Sequence, residues 1–338
     1  MLNIAVIGLG DISRIHLPII DDHKNANLVA VCDTDDSLKG QIKDIPFYTD
    51  YLDMLDNVPI DCVHICLPHH LHYIVTKACV ERGIHVLLEK PLANNVDEGS
   101  KIVQLEAGNP DVKICISFQN RFNSSFQNLK KMIDSGLYGE VKGIKGLVAW
   151  HRPKEYYDIK PWRGKMDYAG GGVMINQSIH TLDFIQLIGG DILTVRGSVD
   201  QLNYHGYEVE DTAVAHIQFQ NGATGLYFAT NTNAVNSSVE FEVITAKGTF
   251  TIKDNILSYT SVDGDKEKLA EDYKLPGKKF YYGASHVKLV DSFYSAIINN
   301  TNHYIGAKEA QKSMELIEVI RKSSELHQTM NMEVIANE

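Results

Sequence analysis

Five short apolar runs, at residues 4–7, 28–32, 63–67, 85–88 and 114–117, constrain the fold of this chain more than any other feature. Each run is continuous rather than alternating, which is the pattern of a strand covered on both faces. Helical stripes lie between them. Ile12, Ile15, Ile19 and Ile20 form one, and Leu71, Ile74, Val75, Ala78 and Cys79 form another. Buried strands alternating with amphipathic helices predict a doubly wound parallel sheet, the α/β arrangement of a Rossmann domain.

The rhythm changes near residue 120. A helix is expected over 124–135, a strand over 141–150, a polar loop rich in Trp, Tyr and Arg, and a helix over 172–188. Strands are then expected at 193–202, 212–219, 224–230, 238–245, 249–253 and 256–259, with Asn221-Gly222 as a hairpin turn. Two helices, at 284–298 and 307–327, follow. This reads as an α+β domain built on one open, mostly antiparallel sheet. At 338 residues the chain exceeds a typical single core. The expected division is a dinucleotide-binding domain over 1–120 and a substrate-binding and oligomerisation domain over 121–338.

Net charge is −11 and no run of Lys or Arg occurs, which argues against a nucleic-acid or anionic-membrane partner. No apolar run approaches a membrane span, and no basic segment with a cleavage site precedes the first strand. A cytoplasmic protein is expected. The five cysteines, Cys32, Cys62, Cys66, Cys79 and Cys115, fall in strand-like or helical apolar positions and read as buried thiols in a reducing compartment.

The first strand runs into Gly8-Leu9-Gly10-Asp11-Ile12-Ser13, which opens a helix. Strand, Gly turn and helix in that order form a pyrophosphate cradle, since glycine lets the backbone approach and the helix N-terminus favours an anion. Asp33 ends the second strand, where a carboxylate would accept hydrogen bonds from the adenosine ribose. A lone Gly loop is weak evidence and Asp33 alone could be a turn residue. Together they predict NAD, with NADP disfavoured by the negative charge.

Two further segments carry chemistry. Glu89-Lys90-Pro91 follows an apolar strand, and Gly170-Gly171-Gly172 precedes Asn176, His180 and Asp183 on an apolar helical pattern. A Lys at a strand end and a His on a helix face suit removal of a proton from a hydroxyl. Taken singly, a Lys before Pro is usually solvated and a His on an apolar helix is usually a core residue.

With Leu67-Pro68-His69-His70-Leu71-His72 and Phe118-Gln119-Asn120-Arg121-Phe122, these motifs make the chain resemble the Gfo/Idh/MocA family of NAD(P)-dependent oxidoreductases essentially end to end. The resemblance implies that Lys90 contacts the reacting hydroxyl and the nicotinamide ribose, and that His180 is the general base. It implies a Lys90–Pro91 bond that is often cis. It places cofactor contacts at Gly8, Gly10, Asp11, Ile12, Asp33, Leu67, Pro68, His69, His72, Glu89, Lys90 and Asn120. Substrate contacts are expected from Lys90, Arg121, Trp162, Arg163, Asn176, His180 and His286, with His151 and Arg152 as weaker candidates. The His69, His70 and His72 cluster lies at that cofactor turn, so no metal is expected.

The chain departs from the family at Asn176, where an Asp is common. If 176 and 180 share a helix face, Asn can orient the imidazole but adds no negative charge, which leaves His180 as the base and weakens transfer of an inositol specificity. A subgroup reading Asn-Gln-x-x-His also shares Trp150-His151-Arg152, Trp162-Arg163-Gly164 and Tyr282-Gly283-x-x-His286, and is largely assigned to unidentified sugar-type substrates. The expected activity is oxidation of a secondary hydroxyl of a sugar, sugar derivative or polyol. The alternatives are a redox-assisted glycosidase that keeps its nicotinamide bound and a catalytically inactive sugar-binding regulator. A two-fold homodimer or homotetramer is expected, because one face of the antiparallel sheet needs cover.

Overall fold

The computed structural model of the chain describes residues 1–203, 206–273 and 284–332. It divides into two compact units. One is Met1–Gln119 with the described part of Lys274–Gln311, and the other is Asn120–Tyr273 with the described residues from Lys312 onward.

The first unit contains β1 (Leu2–Ile7), α1 (Ser13–Asp22), β2 (Ala26–Cys32), β3 (Phe47–Tyr48), α2 (Tyr51–Asn57), β4 (Cys62–Ile65), α3 (His72–Val80), β5 (His85–Leu88), α4 (Val96–Gly108) and β6 (Ile114–Ile116). Its six strands lie in the order β3-β2-β1-β4-β5-β6, all parallel. Every residue of β4 and β6 is buried, as strands covered on both faces require. Strand order reverses between β1 and β4, the point at which such sheets bind ligands. The five cysteines are buried thiols. On α3 the expected stripe is modified: Ile74 is exposed, and His72 takes a buried place because main-chain carbonyls receive its ring.

The second unit contains α5 (Ser124–Asp134), β7 (Val141–Ala149), α6 (Lys154–Asp158), α7 (Met166–Ala169), α8 (Ile179–Gly189), β8 (Ile192–Asp200), β9 (Thr212–Phe219), β10 (Thr224–Thr230), β11 (Glu240–Thr245), β12 (Gly248–Lys253), β13 (Ile256–Ser261) and β14 (Lys266–Glu271). Three elements close the chain: α9 (Ala284–Ile298), α10 (Ala307–Glu325) and β15 (Met330–Asn331). The sheet order is β14-β13-β12-β11-β7-β10-β9-β8-β15, antiparallel except for the β7–β10 pair. Along β9, Ala213, Ala215, Ile217 and Phe219 are buried while Val214, His216 and Gln218 are exposed. Gly146 on β7 has no side chain because a Cβ there would lie 2.5 Å from Thr181 on α8.

Two expectations are corrected. The sequence reading gives everything beyond residue 120 to the second domain, but α9 packs in the first unit. Leu289, Val290 and Phe293 are buried there, and the Tyr294 hydroxyl lies 2.8 Å from His64 Nε2 beside β4. The helix expected over 172–188 is also not continuous. A π-turn spans Val173–Gln177, and α8 begins at Ile179. Ser178 is the cause, since its N–H and its hydroxyl both donate to Val173 O, at 2.9 and 2.7 Å. Ser178 Oγ also lies 2.5 Å from the buried Tyr227 hydroxyl.

Candidate functional site

In the first unit the Gly loop is shaped by close backbone contact. Gly8 has φ +92°, and a Cβ there would meet Cys66 O at 2.5 Å, so only glycine fits. Ser13 Oγ donates to Gly10 O at 2.8 Å and closes the turn. Asp11 is exposed and Ile12 occupies the N-cap of α1, which has no side-chain cap and no acidic residue in its first turn. A first turn without an acidic residue fits a dinucleotide pyrophosphate at this helix N-terminus. Asp33 Oδ2 accepts from Leu9 N at 2.7 Å and Oδ1 from Asp35 N at 3.0 Å. The carboxylate therefore ties β2 to the Gly loop, and the lone pairs left on each oxygen can still accept a ribose hydroxyl.

Beyond β4, Leu67 and Pro68 lead into a short 3-10 turn over His69–Leu71. His72 Nδ1 lies 2.8 Å from Pro91 O and Nε2 lies 2.9 Å from Leu67 O. Burial pushes its pKa down, so at neutral pH the ring donates to one carbonyl and faces the other with a lone pair. His69 is buried with its ring 5.7 Å from that of His72. With both nitrogens of His72 aimed at carbonyls, the three histidines do not converge on one centre. Lys90 is half-buried at the end of β5, and the Lys90–Pro91 bond is cis.

Glu89 is 5% exposed, and its carboxylate anchors a buried cluster that the sequence did not reveal. Glu89 Oε1 lies 2.9 Å from His16 Nε2, His16 Nδ1 lies 2.8 Å from His64 Nδ1, and His64 Nε2 lies 2.8 Å from the Tyr294 hydroxyl. Burial, the largest single influence, would raise the Glu89 carboxyl, but hydrogen bonds from His16 and Ser117 together with the charges of His16 and His286 outweigh it and hold the group at about 2. His286, expected to touch substrate, is 1% exposed and lies 3.9 Å from Glu89 Oε1. Burial holds it at about 4. That placement makes it a member of this cluster. The Tyr282-Gly283 pair that precedes it in the motif lies outside the described residues. His16, Glu89 and His286 also bring ligand atoms within 4.8 Å of one another, a trio already joined by the His16–Glu89 hydrogen bond.

In the second unit the catalytic candidates sit on the interrupted helix. Glu210, 7% exposed, caps its start, accepting from Gly172 N at 2.8 Å and Met174 N at 3.0 Å. A Cβ on Gly172 would lie 1.8 Å from Glu210 O, so the Gly run is a packing requirement. Between 171 and 185 every residue is buried except Asn176 and His180. The break at Ser178 puts these two in different helical segments, which alters the shared face that the spacing suggested. Asn176 Nδ2 donates to the Tyr156 hydroxyl at 3.3 Å, and Gln177 Nε2 donates to the same oxygen at 3.0 Å. Gln177 is fixed in turn by Asn231 Nδ2 at 3.0 Å.

Tyr156, Gln177 and Asn231 were missed because nothing local marks a tyrosine in a polar loop as the partner of a residue on a distant helix. Trp162 packs beside Tyr157, Ala169 and Val209, and Arg163 lies over the Tyr156 ring at 4.1 Å. Arg121 is differently employed: Nε and Nη2 grip Asp183 at 2.7 and 2.6 Å, with the aspartate almost wholly buried. These atoms form a bidentate ion pair between the start of the unit and α8. Asn120 begins this unit in the 3-10 turn Gln119–Phe122.

Comparison with known proteins bears on these residues. The model of an oxidoreductase family with an NAD-binding Rossmann fold matches residues 2–116, and the GFO/IDH/MocA C-terminal domain model matches residues 126–251. The chain is 25% identical to a myo-inositol 2-dehydrogenase of Thermotoga maritima across 99% of both proteins. It is 27% identical to a scyllo-inositol 2-dehydrogenase (NAD(+)) of Bacillus subtilis across 80% of both. Among solved structures it is similar to the WlbA dehydrogenase of Bordetella pertussis in complex with NADH and UDP-GlcNAcA, with a TM-score of 0.85, 25% identity and 98% of each chain covered.

Proposed function

Because the chain belongs to the Gfo/Idh/MocA family of oxidoreductases, with an NAD-binding Rossmann domain, we propose that it is an NAD-dependent dehydrogenase oxidising a secondary hydroxyl of a sugar, sugar derivative or polyol. The observation that carries this reading is the burial pattern of the capped segment. In a stretch where every neighbour is packed away, a His and an amide alone reach the surface. A core histidine would be enclosed with the rest. The sugar class is supported by the relatives named above, all of them dehydrogenases.

Bound NAD⁺ supplies the hydride acceptor. His180 takes the proton of the reacting hydroxyl as its carbon is oxidised, and Lys90, as an ammonium, steadies the negative charge that develops on the oxygen. Asn176 orients substrate from its fixed place on the Tyr156 hydroxyl. Asp33 and the Gly loop hold the adenosine and pyrophosphate ends.

A panel of sugars, sugar acids and polyols, followed by reduced-nicotinamide absorbance, tests the assignment. Stoichiometric release of NADH during steady turnover is expected. Net hydrolysis of a glycoside with no NADH released would replace it with the glycosidase reading.

A further inference from the structure

Arg152 makes an unusual set of contacts for a half-buried cation. Its Nη1 donates to His151 O at 2.9 Å and to Asn236 Oδ1 at 3.0 Å. Its guanidinium lies 4.8 Å from the Trp150 ring and 5.6 Å from the Tyr156 ring. Among the described residues it forms no ion pair, and Nε and Nη2 make no hydrogen bond. Those two N–H groups form one straight edge of the guanidinium, the same edge with which Arg121 grips Asp183. The base of the side chain is pinned, because Arg152 N donates to Asn231 O at 2.9 Å and Trp150 N to Thr230 O at 2.8 Å.

Tyr156 adds a second donor. Its oxygen accepts from Asn176 and Gln177, which occupies both lone pairs. Both partners are amide nitrogens and cannot accept, so the phenolic proton is left to donate elsewhere. Arg163, 4.1 Å from the ring, places a second positive charge beside it. A cation with an open fork, lying over the Tyr156 ring, and a phenol with an undirected proton that is hydrogen-bonded to Asn176 make a site for an anionic oxygen pair.

We propose that the substrate carries a carboxylate, held by the Nε/Nη2 edge of Arg152 and by the Tyr156 hydroxyl, so that the substrate is a sugar acid rather than a neutral sugar. This rests on the sugar-dehydrogenase reading and narrows it to one chemical class. It also gives the Trp150-His151-Arg152 motif a purpose: the indole and the phenol both lie beside the guanidinium and steady the fork.

The chain's two tryptophans, Trp150 and Trp162, each lie beside a guanidinium of this cradle, so intrinsic fluorescence reports on it directly. The NAD-loaded protein is titrated with D-glucuronate, D-galacturonate and D-gluconate, and with glucose, galactose and glucitol as their neutral counterparts. At least one acid is expected to change the fluorescence saturably, with affinity about tenfold or more above its neutral counterpart. Arg152→Gln should abolish that preference, and Arg152→Lys, which keeps the charge without the fork, should restore part of it. Tyr156→Phe, which keeps the packing ring, should weaken the acid by about tenfold. No response to any acid, equal binding of the neutral sugars, or a preference that survives both Arg152→Gln and Tyr156→Phe would overturn the proposal. NADH release is measured in parallel. Acid binding without NADH release supports the cradle and sinks the dehydrogenase reading, whereas NADH release from neutral sugars with no acid preference does the reverse.

Discussion

Glu89 Oε1 and His16 Nε2 lie 2.9 Å apart at the head of a directional chain of buried hydrogen bonds. An ionised Glu89 can only accept, so His16 donates from Nε2, and a neutral His16 ring accepts at Nδ1. His64 then donates from Nδ1 and accepts the Tyr294 proton at Nε2. One charge therefore fixes two tautomers and a hydroxyl rotor. Replacing Glu89 with Ala leaves His16 without its acceptor in the core. A loss of about 3 kcal/mol is expected, from chemical denaturation, and Glu89→Gln should lose less because its amide oxygen still accepts. Equal stability of Glu89→Ala and wild type would refute this ordering.

Acid should weaken the same cluster. His286 titrates at about 4 in the fold against an ordinary 6.5, chiefly through burial and despite the neighbouring Glu89. Between those values the unfolded chain binds a proton that the folded chain refuses. Stability is therefore full above pH 6.5 and falls as the pH is lowered toward 4. His64 and His72 are also pushed down by burial and steepen the fall. His286→Gln should reduce the dependence by about one proton over that window. Denaturation midpoints at a series of pH values decide it, and an unchanged slope would remove His286 from the account.

Lys90→Met and His180→Ala should each leave NAD affinity within a few-fold of wild type. Turnover should drop by about two to four orders of magnitude, the usual range for lost acid–base assistance. Near-normal turnover of either variant on the true substrate would strip that residue of its catalytic role.

Cofactor choice should favour NAD over NADP by more than about a hundredfold. A charged hydrogen bond to a ribose hydroxyl contributes on the order of 1.5–3 kcal/mol. A 2′-phosphate near Asp33 would be repelled by a few kcal/mol even at a surface-like dielectric, as about 4 kcal/mol at 4 Å and ε of about 20 indicates. Because Asp33 also holds Leu9 N, Asp33→Ala should weaken both cofactors rather than exchange them. Tight NADP binding by wild type would contradict the assignment.

The second-unit sheet exposes apolar side chains on one face. Val214, Leu226 and Ile244 are 37%, 47% and 42% exposed, on strands whose opposite face is core. A two-fold homo-oligomer covering this face is expected by light scattering at micromolar concentration, and Leu226→Glu should shift it toward monomer. A wild-type monomer would count against the expectation.

What the sequence revealed follows from how local each signal is. Strands β1, β4, β5 and β6 announce themselves because a strand covered on both faces is apolar at most of its positions. β14 escaped notice because Lys266–Glu271 is a charged strand at the sheet end, where solvation competes with the apolar pattern. The interruption at Ser178 is silent because 172–188 keeps a helical apolar period through it. The candidates Lys90 and His180 rest on short motifs. The Arg121–Asp183 pair and the Tyr156 hydroxyl join residues far apart in the chain, and no spacing rule encodes them.

From just before β9, Glu210 caps the start of the interrupted helix that carries Asn176 and, beyond the break, His180, with both carboxylate oxygens on main-chain N–H groups of its first segment. The proposed general base is therefore not portable. Grafting residues 170–189 onto a relative to move its chemistry would leave those amides without their acceptor unless Glu210 travelled too. The smallest transplantable unit of this active centre includes the loop that leads into β9, and swaps between relatives should respect that boundary.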